Sequence, residues 1–146
     1  MLKPQIVVGV DGSPASIAAL HAAVEEARLR RAPLRVVTAW QLTYSEIAIE
    51  TPTVVQKIVE HNAQIVERAL ASIEAGERAD VEITSELLNG HPAAELLAAA
   101  SDATLLVVGA RGTSGIAGTL LGSVAHAAVH HARCPVLVVP LPASNT

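Results

Sequence analysis

The feature that most constrains this chain is a rhythm of five short apolar runs, each separated from the next by a stretch long enough for a helix. The runs are QIVVGV (5–10), LRVVTAW (34–40), DVEITSELL (80–88), TLLVVG (104–109) and PVLVVP (135–140). Four are nearly continuous, as expected of strands covered on both faces. The run over 80–88 alternates more, with Val81, Ile83, Ser85 and Leu87 on one side, and so belongs nearer a sheet edge. Between the runs the period changes to that of a helix. Ser13 is placed to cap the first helix with Pro14 in its first turn, and Ile17, Leu20, Val24 and Ala27 form its apolar stripe. After a loop over 41–52, Val55, Ile58, Ile65, Ala69 and Ile73 mark a second helix, which Gly76 is expected to stop. Pro92 opens a third helix, and residues 121–133 form a fourth. The order β-α-β-α-β-α-β-α-β, joined by right-handed crossovers, predicts an α/β protein whose parallel sheet is covered by helices on both faces.

Composition narrows the possibilities. A 146-residue chain that is 51% hydrophobic fits one domain over 1–146, with an ordered core of about 4–140 and a polar tail over 141–146. With no Phe, one Trp and one Tyr, the core must be aliphatic. The net charge of −4 and the scarcity of aromatics argue against a nucleic-acid partner. No apolar run reaches the roughly 20 residues needed to span a membrane, and the short N-terminal run reads as a strand, so the expected location is cytoplasmic. The cluster Arg28, Arg30 and Arg31 suits the C-terminal end of the first helix, as Arg133 suits that of the fourth. The lone Cys134 reads as a small apolar residue, with no partner for an intrachain disulfide.

In a doubly wound sheet, ligands bind beyond the carboxyl ends of the strands. Asp11-Gly12-Ser13 follows the first strand, Ala39-Trp40-Gln41 closes the second, and Asn89-Gly90-His91 follows the third. After the fourth comes GARGTSGIAGTLLGS (109–123), which holds five of the chain's nine glycines. Its form is G-x-x-G, nine residues, then G-S: Gly109, Gly112, Gly122 and Ser123. Gly122 and Ser123 stand where a helix begins, so N–H groups and the positive end of the dipole face outward. Thr113, Ser114 and Ser123 add hydroxyls, and the Asp11 carboxylate can accept from both hydroxyls of a ribose. A P-loop is excluded because the only lysines are Lys3 and Lys57. A dinucleotide fingerprint is excluded because Asp11 stands where pyrophosphate would lie.

VVGVDGSPAS, NGHPAAELL and GARGTSGIAGTLLGSVAHAAVHHARCPVLVV resemble the universal stress protein family, over essentially the whole chain. The resemblance, to the family's ATP-binding branch, implies a Rossmann-like five-stranded parallel sheet of order 3-2-1-4-5 and a homodimer paired through 135–140. It implies that Asp11, with Gly12 beside it, and Gly109 hold the ribose, and that backbone near Ala39 meets the adenine edge. Gly112, Thr113, Gly122, Ser123 and the Val124 amide would surround the phosphates of ATP, with Mg²⁺ or Mn²⁺ bridging them. Arg111 either pairs with phosphate or lies in solvent. Ala110 departs from a frequent serine, so one hydroxyl contact is missing.

Several side chains have simpler uses. Trp40 either covers the nucleotide or seals the core, the core being favoured. His126 and His130, four apart with His131 adjacent, have a metal-binding spacing but fit a solvated or interface face better. His91 is a capping or loop residue on the ligand edge and the only candidate base. Without lysine or an obvious base, the expectation is a nucleotide-binding regulator with an unidentified protein partner and not an enzyme. The alternatives are a slow ATP hydrolase and a dimeric scaffold with a vestigial site.

Overall fold

The computed structural model describes residues 4–42, 51–112 and 121–141. Five parallel strands form one sheet of order β3-β2-β1-β4-β5: β1 (Ile6–Gly9), β2 (Leu34–Trp40), β3 (Ile83–Asn89), β4 (Leu105–Gly109) and β5 (Val136–Val139). The helices are α1 (Pro14–Arg30), α2 (Pro52–Ala71), the short α3 (Ala75–Arg78), α4 (Pro92–Ala99) and α5 (Ser123–His131). The expected doubly wound architecture and strand order are present, and β3 is an edge strand.

Strand alternation divides the aliphatic core in two. Ile6, Val8, Leu34, Val36, Leu105 and Val107 face α1 and α2, burying against Ala19, Leu20, Ala23, Val24, Ala69 and Ile73. Val7, Val37, Leu106 and Val108 face α4 and α5, against Leu96, Ala125 and Ala128. Alanine on the helices lets them sit close to the sheet, so a core without Phe still packs on both faces. Trp40 is half-buried at the end of β2 and joins neither cluster; it is not the core seal the sequence favoured. Cys134 packs beside the second cluster, and burial pushes its thiol up, away from thiolate reactivity.

Three boundaries differ from the sequence reading. Helix α2 ends at Ala71, and Gly76 lies inside α3, so the glycine does not stop α2; Ser72 caps it, its N–H and hydroxyl both donating to Ala69 O. Strand β3 starts at Ile83, three residues later than the apolar pattern, because pairing begins opposite Leu34. Helix α5 covers 123–131, not 121–133.

Helix α1 closes as its basic end suggests. Arg28 and Arg30 occupy the last turn, and Arg30 bonds Glu26 one turn earlier at 3.0 Å. Arg31 then turns left-handed (φ 53°, ψ 47°), and Ala32 N donates back to Ala27 O at 3.0 Å. A residue with a Cβ is strained there, so Arg31→Gly is expected to raise stability by about 0.5–1 kcal/mol. Urea denaturation checks this; an unchanged or lowered midpoint would show that the arginine's charge at the helix end outweighs the strain.

An ion pair ties the edge strand to the sheet. Arg35 of β2 bonds the Glu86 carboxylate of β3, and its Nη1 donates at 3.0 Å to Ala99 O at the end of α4. The hydrogen bond from Arg35 holds the Glu86 carboxyl below its usual range, against the opposing effect of desolvation. A carboxyl lowered by folding contributes stability above its unfolded pKa, which is lost as pH falls through the folded value. With Glu86 about a third exposed, water screens the pair, so Glu86→Gln should cost no more than about 1 kcal/mol at pH 7. The two proteins should converge in stability on acidification below about pH 4.5, where a carboxyl starts to protonate. Equal stabilities at pH 7 and pH 3 alike would remove the pair from the account.

Candidate functional site

The chain winds outward from β1 through β2 to β3, then crosses back to place β4 on the other side of β1. The carboxyl ends of β1 and β4 therefore lead to α1 and α5, which cover opposite faces of the sheet, leaving a cleft between them. A cavity of about 980 Å³ lies there.

Its first wall is the turn after β1. Asp11 Oδ1 accepts from Ser13 N at 2.9 Å, Ser13 Oγ caps α1 by accepting from Ser16 N, and Ser16 Oγ donates to Ser13 O. Asp11 N in turn donates to Ser16 Oγ, and Thr38 Oγ1 donates to Val10 O at 2.8 Å. Ser13 is thus the cap, as its position before Pro14 predicts, and the Asp11 carboxylate is fixed at the cavity wall. Gly12 makes the turn at φ 87°, a conformation that favours glycine; a Cβ there would stand 3.2 Å from Ile65 Cγ2, and Gly12 is not among the residues that line the cavity.

The second wall comes from β4. At Gly109 a Cβ would stand 2.7 Å from Ala15 C and 2.9 Å from Ser16 N, so the bare backbone is what lets the first turn of α1 lie against the strand. At Gly112 a Cβ would meet Asp11 Oδ2 at 2.8 Å. Gly122 sits against Arg111 Cα and Gly112 N, and its own N–H donates to Ala110 O at 2.6 Å. The sequence expected the Gly122 amide to face outward with that of Ser123; instead it ties the end of the glycine-rich stretch to its beginning. The first helical amides, of Ser123 and Val124, keep no partner within α5, because a helix start leaves them none.

Asp11, Ala39, Gly109, Arg111, Gly112, Gly122, Ser123 and Val124 all line this one cavity. Thr113, and Ser114 with it, lie outside the described residues. Helix α2 contributes His61, Asn62 and Ile65, which the sequence reading did not place there. Ile65 was recognised as apolar, and His61, one turn before it, shares its side of the helix. That this side overhangs the cleft follows from how α2 docks. His91, which precedes Pro92 at the start of α4, and His126 of α5 complete the rim.

The fold and cleft define a doubly wound α/β protein with a cavity at the switch point, beside a helix N-terminus. The sequence model of the universal stress protein family matches residues 4–140, and the chain belongs to that family. A universal stress protein of Mycobacterium tuberculosis is 37% identical over 155 residues, covering 92% of this chain and 47% of that protein. The chain spans about half the length of the curated relatives it matches. Among solved structures, a universal stress protein in complex with cAMP is 29% identical, with a TM-score of 0.64 over 97% of this chain and 100% of that one. A universal stress protein from Archaeoglobus fulgidus in complex with dAMP is 26% identical, with a TM-score of 0.57 over 95% of this chain and 99% of that one. No helix among the described residues is long and apolar enough to cross a membrane.

Proposed function

We propose that this protein binds ATP with a divalent ion, Mg²⁺ or Mn²⁺, and acts as a nucleotide-dependent regulator in the stress response. The observation that carries this reading is the convergence of Asp11, the glycines at 109 and 112, and the start of α5 on one cavity. Each part suits one part of the ligand. The Asp11 carboxylate accepts from ribose hydroxyls, the wall at Val37 and Ala39 receives the base, and the amides of Ser123 and Val124 donate to phosphate. The glycines suit such a group: side chains at 112 and 122 would crowd the space between Asp11, Arg111 and the helix start. A divalent ion would neutralise phosphate charge and take its ligands mainly from phosphate oxygens and water. The adenine nucleotides in the cAMP and dAMP complexes of the two solved relatives support the same ligand class.

Holding fits this site better than hydrolysis. Phosphoryl transfer needs cationic charge on the transferred group and an oriented water. Among the described residues, Arg111 is the only arginine or lysine on the cavity wall. The edge of β5, flanked by Pro135 and Pro140, offers a strand for pairing two copies through 135–140.

Denaturing the purified protein and identifying any released nucleotide by mass is the direct test. Released adenine nucleotide, or a rise in melting temperature on adding MgATP, supports the proposal. Neither occurring would overturn it. A monomer mass by sedimentation with and without MgATP would remove the dimer.

A further inference from the structure

Helix α2 brings one fixed polar group to the cavity. Asn62 is half-buried and lines it, and its side-chain Nδ2 donates to Ile58 O, one turn earlier, at 2.8 Å. A carbonyl oxygen only accepts, so the amide atom facing Ile58 O must be the nitrogen. The amide is planar, and holding Nδ2 against the helix sets Oδ1 on the opposite side of Cγ. No donor bonds Oδ1 among the described residues. Gln41, the other amide side chain on the wall, is exposed, and no hydrogen bond orients it among those residues.

The order of the strands decides which part of a nucleotide Asn62 meets. Strand β4, which leads to α5, lies on one side of β1, and β2 lies on the other. With phosphate at the start of α5 and ribose at Asp11 after β1, the base extends toward β2, where Val37, Ala39 and Gln41 line the cavity. Helix α2 packs against β2 and β3. It also reaches the ribose turn, since a Cβ at Gly12 would stand 3.2 Å from Ile65 Cγ2. Asn62 precedes Ile65 by three residues, on the same side of the helix and about 4.5 Å farther along its axis. We propose that Asn62 is a specificity-determining residue at the base end of the cavity, its Oδ1 accepting a hydrogen bond from the 6-amino group of adenine.

A neutral oxygen held as an acceptor distinguishes purines at position 6. Adenine presents an N–H donor there, whereas a 6-oxo purine presents a carbonyl oxygen, which would face Oδ1 lone pair to lone pair. The amide cannot turn over to offer Nδ2 without giving up its bond to Ile58 O, so the preference is set before the ligand arrives. The inference rests on the nucleotide reading above and adds what selects the base.

Three probes share ribose, phosphate and charge at neutral pH: AMP, purine riboside 5′-monophosphate with hydrogen at position 6, and IMP with an oxo group there. Titration calorimetry of the full chain gives the three dissociation constants. AMP should bind about three- to tenfold more tightly than the 6-hydrogen analogue, the worth of one hydrogen bond, and more tightly than IMP by at least as much. Asn62→Ala removes the acceptor, and Asn62→Leu does so at nearly the same size, so that one serves if the other disturbs α2. In a variant whose melting temperature without ligand stays near the parent's, AMP and the 6-hydrogen analogue should come within about twofold of each other, through weaker binding of AMP. Equal affinities for AMP and either analogue in the parent, or variants that keep the parent's ratio of affinities, would overturn the inference and leave nucleotide binding standing. Binding of none of the three would overturn the nucleotide reading itself, and this inference with it.

Discussion

Gly122→Glu is expected to weaken MgATP binding by at least about a hundredfold, because it places a carboxylate beside the amides proposed to receive phosphate, at a cost of several kcal/mol in like-charge repulsion. Gly122 lies at the N-cap of α5, with ordinary backbone angles (φ −71°, ψ 170°), so the backbone itself accepts a side chain. The space does not. A Cβ would stand 3.2 Å from Arg111 Cα and 3.3 Å from Gly112 N, tight enough to make those neighbours give by a few tenths of an ångström. Gly122→Ala separates the two effects: it introduces the crowding without the charge, and should retain most of the affinity that the glutamate removes. Isothermal titration of both variants, alongside their melting temperatures without ligand, makes the comparison. If Gly122→Glu bound MgATP as the parent does, the phosphate side of the cavity would lie elsewhere.

Gly109→Ala should cost about 1–3 kcal/mol of folding stability, the range for forcing an extra group into a packed interior. For a chain of this size that lowers the melting temperature by roughly 3–10 °C. The atoms that the new methyl would meet are Ala15 C and O and Ser16 N, backbone atoms that can withdraw only if α1 shifts as a whole. That shift would also move the hydrogen-bonded turn from Asp11 to Ser16, so any affinity for nucleotide should fall alongside stability. Gly9 makes the contrast. A Cβ there would meet Leu96 Cδ2 at 2.8 Å, the far end of a flexible side chain, and Gly9→Ala should be milder. A melting temperature for Gly109→Ala within about 1 °C of the parent would show that α1 has room to adjust, and would leave the glycine without a packing role.

The sequence reading put Gly109 at the ribose, and the geometry adds a different use for it. Glycine spacing alone does not distinguish a backbone bared for a ligand from one bared for a helix. The same limit applies along the stretch: Gly112 makes room for the Asp11 carboxylate, and the Gly122 amide bonds Ala110 O instead of facing the cavity. The resemblance to the universal stress protein family placed the ends of β1 and β4 side by side through its strand order, which the sheet has. The sequence did not place His61, Asn62 and Ile65 on the cavity, since the stretch over 41–52 carries no period from which the approach of α2 could be read. Nor did it recognise that the Arg35–Glu86 pair would join β2 to β3, a contact between residues 51 apart in the chain.

By itself, the sequence determined the strand and helix order, the parallel sheet with helices on both faces, the aliphatic core, the capping of α1 by Ser13 and its basic end. Each of these follows from local periodicity, side-chain type or chain connectivity, which act over a few residues or a single crossover. The tertiary structure alone decided which glycines serve packing, that the Gly122 amide bonds Ala110 O, and which face of α2 lines the cavity. Those outcomes depend on how helices seat against the sheet, to within an ångström, and that is a property of the whole packed interior, not of any segment read along the chain.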